Sequence, residues 1–178
     1  MVRSLRLFTT LVLLSACAQE PSGPMVAEAG TIIADPSLDF PEQVSELGLF
    51  PALPSLNTVP VEALVYEPTW PLWTNSLAKL RHIRVPDGET IDVTESSVWQ
   101  YPDNTLFFKT FMTTDPTHPD GQRPLETRVF RTIDGDVEFA TYVWDPDGHD
   151  GHLTDMKLPV EVEVTEDGET FMHGVPNK

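Results

Sequence analysis

The feature that most constrains this chain is a run of turn signals set at short intervals through its second half. "PDG" (Pro86 to Gly88), "PDN" (Pro102 to Asn104), "IDGD" (Ile133 to Asp136) and "EDG" (Glu166 to Gly168) each follow a short segment of apolar or alternating residues. Pro presets φ, and Asp-Gly or Asn supplies positive φ, so such clusters reverse the chain. The segments between them are too short and too rich in β-branched and aromatic residues for helices. "LRHIRV", "ETIDVT", "SSVWQY", "TLFFKTFMTT", "LETRVFRT", "VEFATYVW", "LPVEVEVT" and "ETFMHGV" read as about eight strands. That spacing predicts an all-β fold, an antiparallel β-sandwich or barrel-like domain. The 17 prolines support many turns and little continuous helix.

"TLFFKTFMTT" is the most apolar strand. Phe107, Lys109 and Phe111 fall on one face and Leu106, Phe108 and Met112 on the other, so it is expected to be central. The predicted core includes Phe107, Phe108, Phe111, Val129, Phe139 and Trp144. Trp70, Trp73 and Trp99 are also expected in the core; a sugar-binding face would need tryptophans exposed in a row. One helix of about two turns is predicted within "FPEQVSELGLF" (Phe40 to Phe50), with Pro41 at its first position and Gly48 stopping it. "PALPSLNTVPVEAL", with prolines at 51, 54 and 60, reads as an extended covering loop.

The amino-terminal residues do not fit this pattern. Arg3 and Arg6 precede an apolar run and then small residues, which is the form of a secretory signal. Its end, "LSAC" (Leu14 to Cys17), resembles the bacterial lipobox. The resemblance implies cleavage before Cys17 and a lipid anchor on its thiol. Ala18, rather than Asp, then implies sorting to the periplasmic face of the outer membrane. The expected organisation is a lipoprotein signal peptide at 1–16, a flexible tether at 17–38 and a β domain at 39–178. Cys17 is the sole cysteine, which excludes an internal disulfide, a thiolate zinc cluster and a c-type haem site. The chain carries a formal charge of −17, and loss of the two arginines leaves −19. Such a charge repels nucleic acid and anionic headgroups, so no nucleic-acid partner is expected and membrane attachment should come from the lipid.

Two clusters are candidates for chemistry. The first is "YVWDPDGHDGHLTD" (Tyr142 to Asp155). A calcium loop of the EF-hand kind needs Gly at its sixth position and Glu at its twelfth. Counted from Asp145, those positions hold Asp150 and Met156, so that motif fails. A looser calcium site would use Asp145, Asp147 and Asp150. Zinc or copper would use His149 and His152 with a third ligand such as His118 or His173. The favoured reading is a turn at the exit of a strand, with Asp side chains bonding local amides. The second cluster is in "LETR". Glu126 and Arg128 share a strand face with Phe130, next to Lys109 or Arg84 on neighbouring strands. An ion pair that fixes structure is the favoured reading, and an anion-binding pocket is the alternative. No nucleophile elbow surrounds Ser55, and no phosphate-binding Gly-rich loop is present, so an enzyme is not the favoured reading.

Five segments in order, "FPEQVSELGLF", "YEPTWPLWTNSLAKLRHIRVPDG", "WQYPDNTLFFKTF", "PLETRVFRT" and "TYVWDPDGHDGHL", together resemble the N-terminal domain of a bacterial exported protein family related to diheme c-type cytochromes. The resemblance spans residues 40–178. It places Asp150 on the family's turn, with His149 and His152 outside the pattern. The family's last strand leads to a Cys-x-x-Cys-His haem segment, which this sequence does not contain. The resemblance therefore implies no cofactor in this chain, with haem on a partner or on a downstream segment. The expected role is an accessory or docking module of a c-type cytochrome electron-transfer system. The alternatives are a ligand-binding lipoprotein, for carbohydrate or a cell-wall component, and a hydrolase.

Overall fold

The computed structural model describes residues 39–70, 72–74, 76–95, 97–155 and 160–175. Cys17, the signal and the tether lie outside the described residues. The fold is all-β. Six strands form one antiparallel meander: β1 (Leu64–Val65), β2 (Ala78–Arg84), β3 (Leu106–Thr114), β4 (Gln122–Ile133), β5 (Asp136–Trp144) and β6 (Gly151–Leu153), paired in that order. Two more, β7 (Val160–Glu166) and β8 (Glu169–Val175), make a separate hairpin. Among the described residues no helix is long and apolar enough to cross a membrane.

The turns form where Asp-Gly demands them. Asp134 (φ 50°) and Gly135 (φ 77°) join β4 to β5, and Asp167 (φ 52°) and Gly168 (φ 82°) join β7 to β8. Positive φ at both central residues matches the right-handed twist of the flanking strands. Between β3 and β4 the register slips at Phe111 and Met112, which pair with Glu126 and Pro124. This bulge accommodates Pro124, which has no amide for the ladder, and turns Leu125 into a small core.

The meander is covered unequally. On the first face, Phe108, Leu106, Met112, Val129, Ala140, Tyr142 and Trp144 pack under Val44, Leu47, Leu49, Phe50, Leu56 and Ala63. The stretch from Pro51 to Ala63 is therefore the covering loop the prolines predicted, and residues 40–50 extend the same cover. Acidic clasps hold it down. Asp120 accepts hydrogen bonds from Ser55 Oγ (2.8 Å), Leu56 N (2.6 Å) and Asn57 Nδ2 (2.8 Å). Tyr142 donates its hydroxyl to Pro41 O at 2.9 Å, and burial raises that phenol well above its ordinary pKa. On the second face, β7 and β8 cover one end only, where Val164 meets Leu77, Phe111 and Leu125.

Several expectations need correction. The helix is a single 3-10 turn, Val44–Leu47, because Gln43 is held extended (φ −126°, ψ 148°) in a bridge to His152. Pro41 and Glu42 thus precede it, while Gly48 ends it as expected at φ 73°. "ETIDVT" and "SSVWQY" are not strands; they share only the bridge between Asp92 and Gln100. Both edges of β2 are already taken by β1 and β3, so this excursion does not pair with the strand it leaves. The unforeseen strands are β1 and β6. Phe108, Phe111, Val129 and Trp144 are buried, but Phe107 is half-buried and Phe139 is 43% exposed, since the hairpin does not reach their end of the second face. Trp70, Trp73 and Trp99 are exposed, outside every strand.

Candidate functional site

The antiparallel register decides which charges meet. Arg81 on β2 lies opposite Lys109 on β3, and Lys109 lies opposite Arg128 on β4. All three belong to the second face, in one row across three adjacent strands. The row beside it is Lys79, Phe111 and Glu126. The Lys109 ammonium sits 4.6 Å and the Arg128 guanidinium 4.7 Å from the centre of the Phe111 ring, so one ring carries two cations.

Glu126 is the counter-charge. It is fully buried, and its Oε1 accepts from Arg128 Nη2 at 2.5 Å and lies 3.2 Å from His173 Nε2. Its Oε2 and the Arg128 Nε are buried without a hydrogen-bond partner. His173 comes from β8, so the hairpin's closure and the ion pair depend on each other. The expected cluster of Lys109, Glu126 and Arg128 is thus brought together. Arg84 is not part of it: it pairs across to Leu106 and is buried on the first face. Two residues of offset from Arg81 would have kept it on the same face, and three put it on the other.

Arg81 and His173 join the cluster without having been foreseen. Alternation in "KLRHIR" puts Lys79 and Arg81 on one face, but only the strand register brings them to Lys109. Burial holds the Lys109 ammonium below its ordinary pKa, and Arg128, Arg81 and Lys79 push it the same way while Glu126 opposes them. Lys79 is lowered too, by burial and then by Arg81. Its ammonium donates to Leu72 O.

The Asp/His loop has a different character. Asp150 accepts from Ser45 N (3.0 Å), Ser45 Oγ (2.7 Å) and Gly151 N (2.8 Å), so its carboxylate fastens the 3-10 turn to the start of β6. Asp145 and Asp147 pair with His152 (3.3 Å) and His149 (3.2 Å) respectively, at exposed positions. Gly148 closes the turn at φ 71°, where a Cβ would come within 2.9 Å of Arg123. A Cβ on Gly151 would meet Val44 at 2.8 Å. Both glycines are needed for this close packing. His118 lies beneath Gly148, while His173 is committed to Glu126. Among the described residues no three His, Cys, Asp or Glu side chains converge into a group that could hold a metal ion.

A third feature is apolar. Leu64 and Val65 form the edge strand β1, and both are exposed, as are Val61, Trp70, Leu72 and Trp73 in the same stretch of chain. Trp70 is 86% and Trp73 82% exposed. No family model, curated protein or solved structure matches this chain.

Proposed function

We propose that this chain is a lipid-anchored docking domain of the bacterial cell envelope, serving a c-type cytochrome whose haem it does not itself carry. The observation that carries the docking part is the exposed edge from Val61 to Trp73. Two tryptophans and a leucine more than three-quarters exposed are unusual for a surface with no partner. Interfaces concentrate aromatic residues at their centres, and an edge strand leaves backbone groups open to pairing. The identity of the partner rests on the sequence resemblance, and the anchor on the lipobox-like "LSAC". Redox encounters bury little area and bind weakly, so a short apolar edge is of suitable size.

Two experiments test this reading. The full chain is titrated with c-type cytochromes purified from the same periplasm, following the haem absorbance retained by the immobilised chain. Binding that falls at least about tenfold in Trp70→Ser/Trp73→Ser supports docking through this edge, since a tenfold change corresponds to loss of a single good contact. No retained haem protein, or equal retention by the double variant, refutes it. Separately, Cys17→Ser should release the protein from the membrane fraction, and retention there would dispose of the anchor. The ligand-binding alternative draws on the same exposed Trp70 and Trp73, with Trp99, since a sugar-binding face needs exposed tryptophans, and for an anionic ligand on the cation row of the second face.

A further inference from the structure

We propose that Arg81, Lys109 and Arg128 form a binding site for a small organic anion, one that carries a phosphate or carboxylate beside a flat apolar body. This inference does not depend on the docking reading, because it concerns the sheet face and not the apolar edge.

The first argument is charge balance. Four of the seven lysines and arginines among the described residues, Lys79, Arg81, Lys109 and Arg128, crowd this one face of a protein whose formal charge is −17. The other three lie off this face, two of them paired with acids and Arg84 with its Nε and Nη1 buried without a hydrogen-bond partner. Arg84 is buried on the first face, Arg123 lies 3.6 Å from Asp115, and Arg131 pairs with Glu138 at 2.5 Å. Among the described residues, Arg81 and Lys109 have no carboxylate within salt-bridge distance, and Glu126 is the one acid in the cluster. Like charges directly opposite in a ladder repel. The Phe111 ring attracts two of the cations but adds no negative charge. A chain with 28 acidic residues had many ways to neutralise this row and does not. An anion from outside would remove the repulsion.

The second argument is shape. Neighbouring strands lie about 4.8 Å apart, so three cations in a row span about 10 Å. That suits one phosphate or carboxylate bridging two or three of them, with the arginines offering forked donors. Two residues further along the same strands, about 7 Å away, stand Ile83, Phe107 and Phe130, with Phe139 opposite Phe130 on β5. Phe139 is exposed and the others are half-buried. Phe107 packs edge-on against Tyr101 and Phe130 edge-on against Phe139, giving fixed apolar ground for the body of a ligand. The ligand should be small. A long polyanion would meet the negative remainder of the surface, whereas charges more than about 10 Å away are screened from a small one.

The test uses the full chain at low ionic strength, with phenyl phosphate and inorganic phosphate as probes in calorimetric titrations. Phenyl phosphate is expected to bind with a dissociation constant at or below about 1 mM. Inorganic phosphate should bind at least about fivefold more weakly, because it leaves the apolar row uncovered. Arg81→Gln/Lys109→Gln should weaken phenyl phosphate at least about tenfold. Its unliganded melting temperature should not fall, since each substitution relieves repulsion. No binding of phenyl phosphate by the parent chain at 10 mM, about ten times the expected constant, would overturn the proposal. Undiminished binding by the double variant would do the same. Equal affinity for the two probes would overturn the part assigned to the apolar row. If the double variant fails to fold, Lys109→Gln alone and the loss of parent binding with added salt give the same decision.

Discussion

The two faces of the six-stranded sheet were built from the same strands and came out opposite in character. The first is sealed. Leu106, Phe108, Val129, Tyr142 and Trp144 lie under the proline-rich segment, and Thr127 there bonds both Thr110 at 2.8 Å and Trp144 Nε1 at 2.9 Å, while His82 Nδ1 and Arg84 Nε and Nη1 are buried without a hydrogen-bond partner. The second is half-covered. Its apolar contacts end at Phe111 and Leu125, and beyond them come a row of cations and a row of partly exposed aromatics. Stability should therefore be concentrated on the first face, and the second is left available for binding. A sheet needs only one well-packed face to be stable.

The largest expected effect is on the sealed face. Phe108→Ala should cost about 3–5 kcal/mol, measured by denaturant unfolding, because the ring is 1% exposed at the centre of the core. A loss under about 1 kcal/mol would mean that the first face is not the stabilising one.

Next comes His82, also on that face, 2% exposed and edge-on to Phe50 at 5.9 Å. Burial pushes its pKa down to about 4 from an ordinary 6.5. The unfolded chain takes up a proton below pH 6.5 that the folded chain refuses until about pH 4. Stability is therefore full above pH 6.5 and falls through that window, by about 3 kcal/mol in total. His82→Leu should flatten this part of the stability–pH curve. An unchanged acid slope would show that the imidazole is not held neutral.

A smaller effect is expected at the clasp. Asp150→Ala removes the carboxylate that binds Ser45 and should cost about 1–2 kcal/mol, with faster amide exchange in residues 43–47. If calcium or zinc stabilised the parent and not Asp150→Ala, the loop would hold a metal after all. The smallest effect belongs to the open face. Phe139→Ala should cost about 1 kcal/mol or less, because the residue is 43% exposed at the open end of the second face, where it meets Phe130 edge-on.

The sequence alone determined strands β2, β3, β4 and β5, the turn between β4 and β5, and the β7–β8 hairpin, though not the excursion between β2 and β3. The reason is local: Asp-Gly pairs fix positive φ where they stand, and alternation fixes which residues share a face, whatever the rest of the chain does. It also brought Glu126, Arg128 and Lys109 together, since the first two share a strand. Register and coverage were decided only by the tertiary structure. Arg81 rather than Arg84 faces Lys109 because β2 pairs with β3 at one offset and no other, and an error of a single residue reverses the face. Phe107 and Phe139 have the same composition and alternation as buried positions, yet they stay partly open because the hairpin covers the other end of the sheet. Trp70 and Trp73 read as core by residue type, yet both stay exposed, Trp73 only flanking an open cavity beside Glu166 and Phe171 of the hairpin.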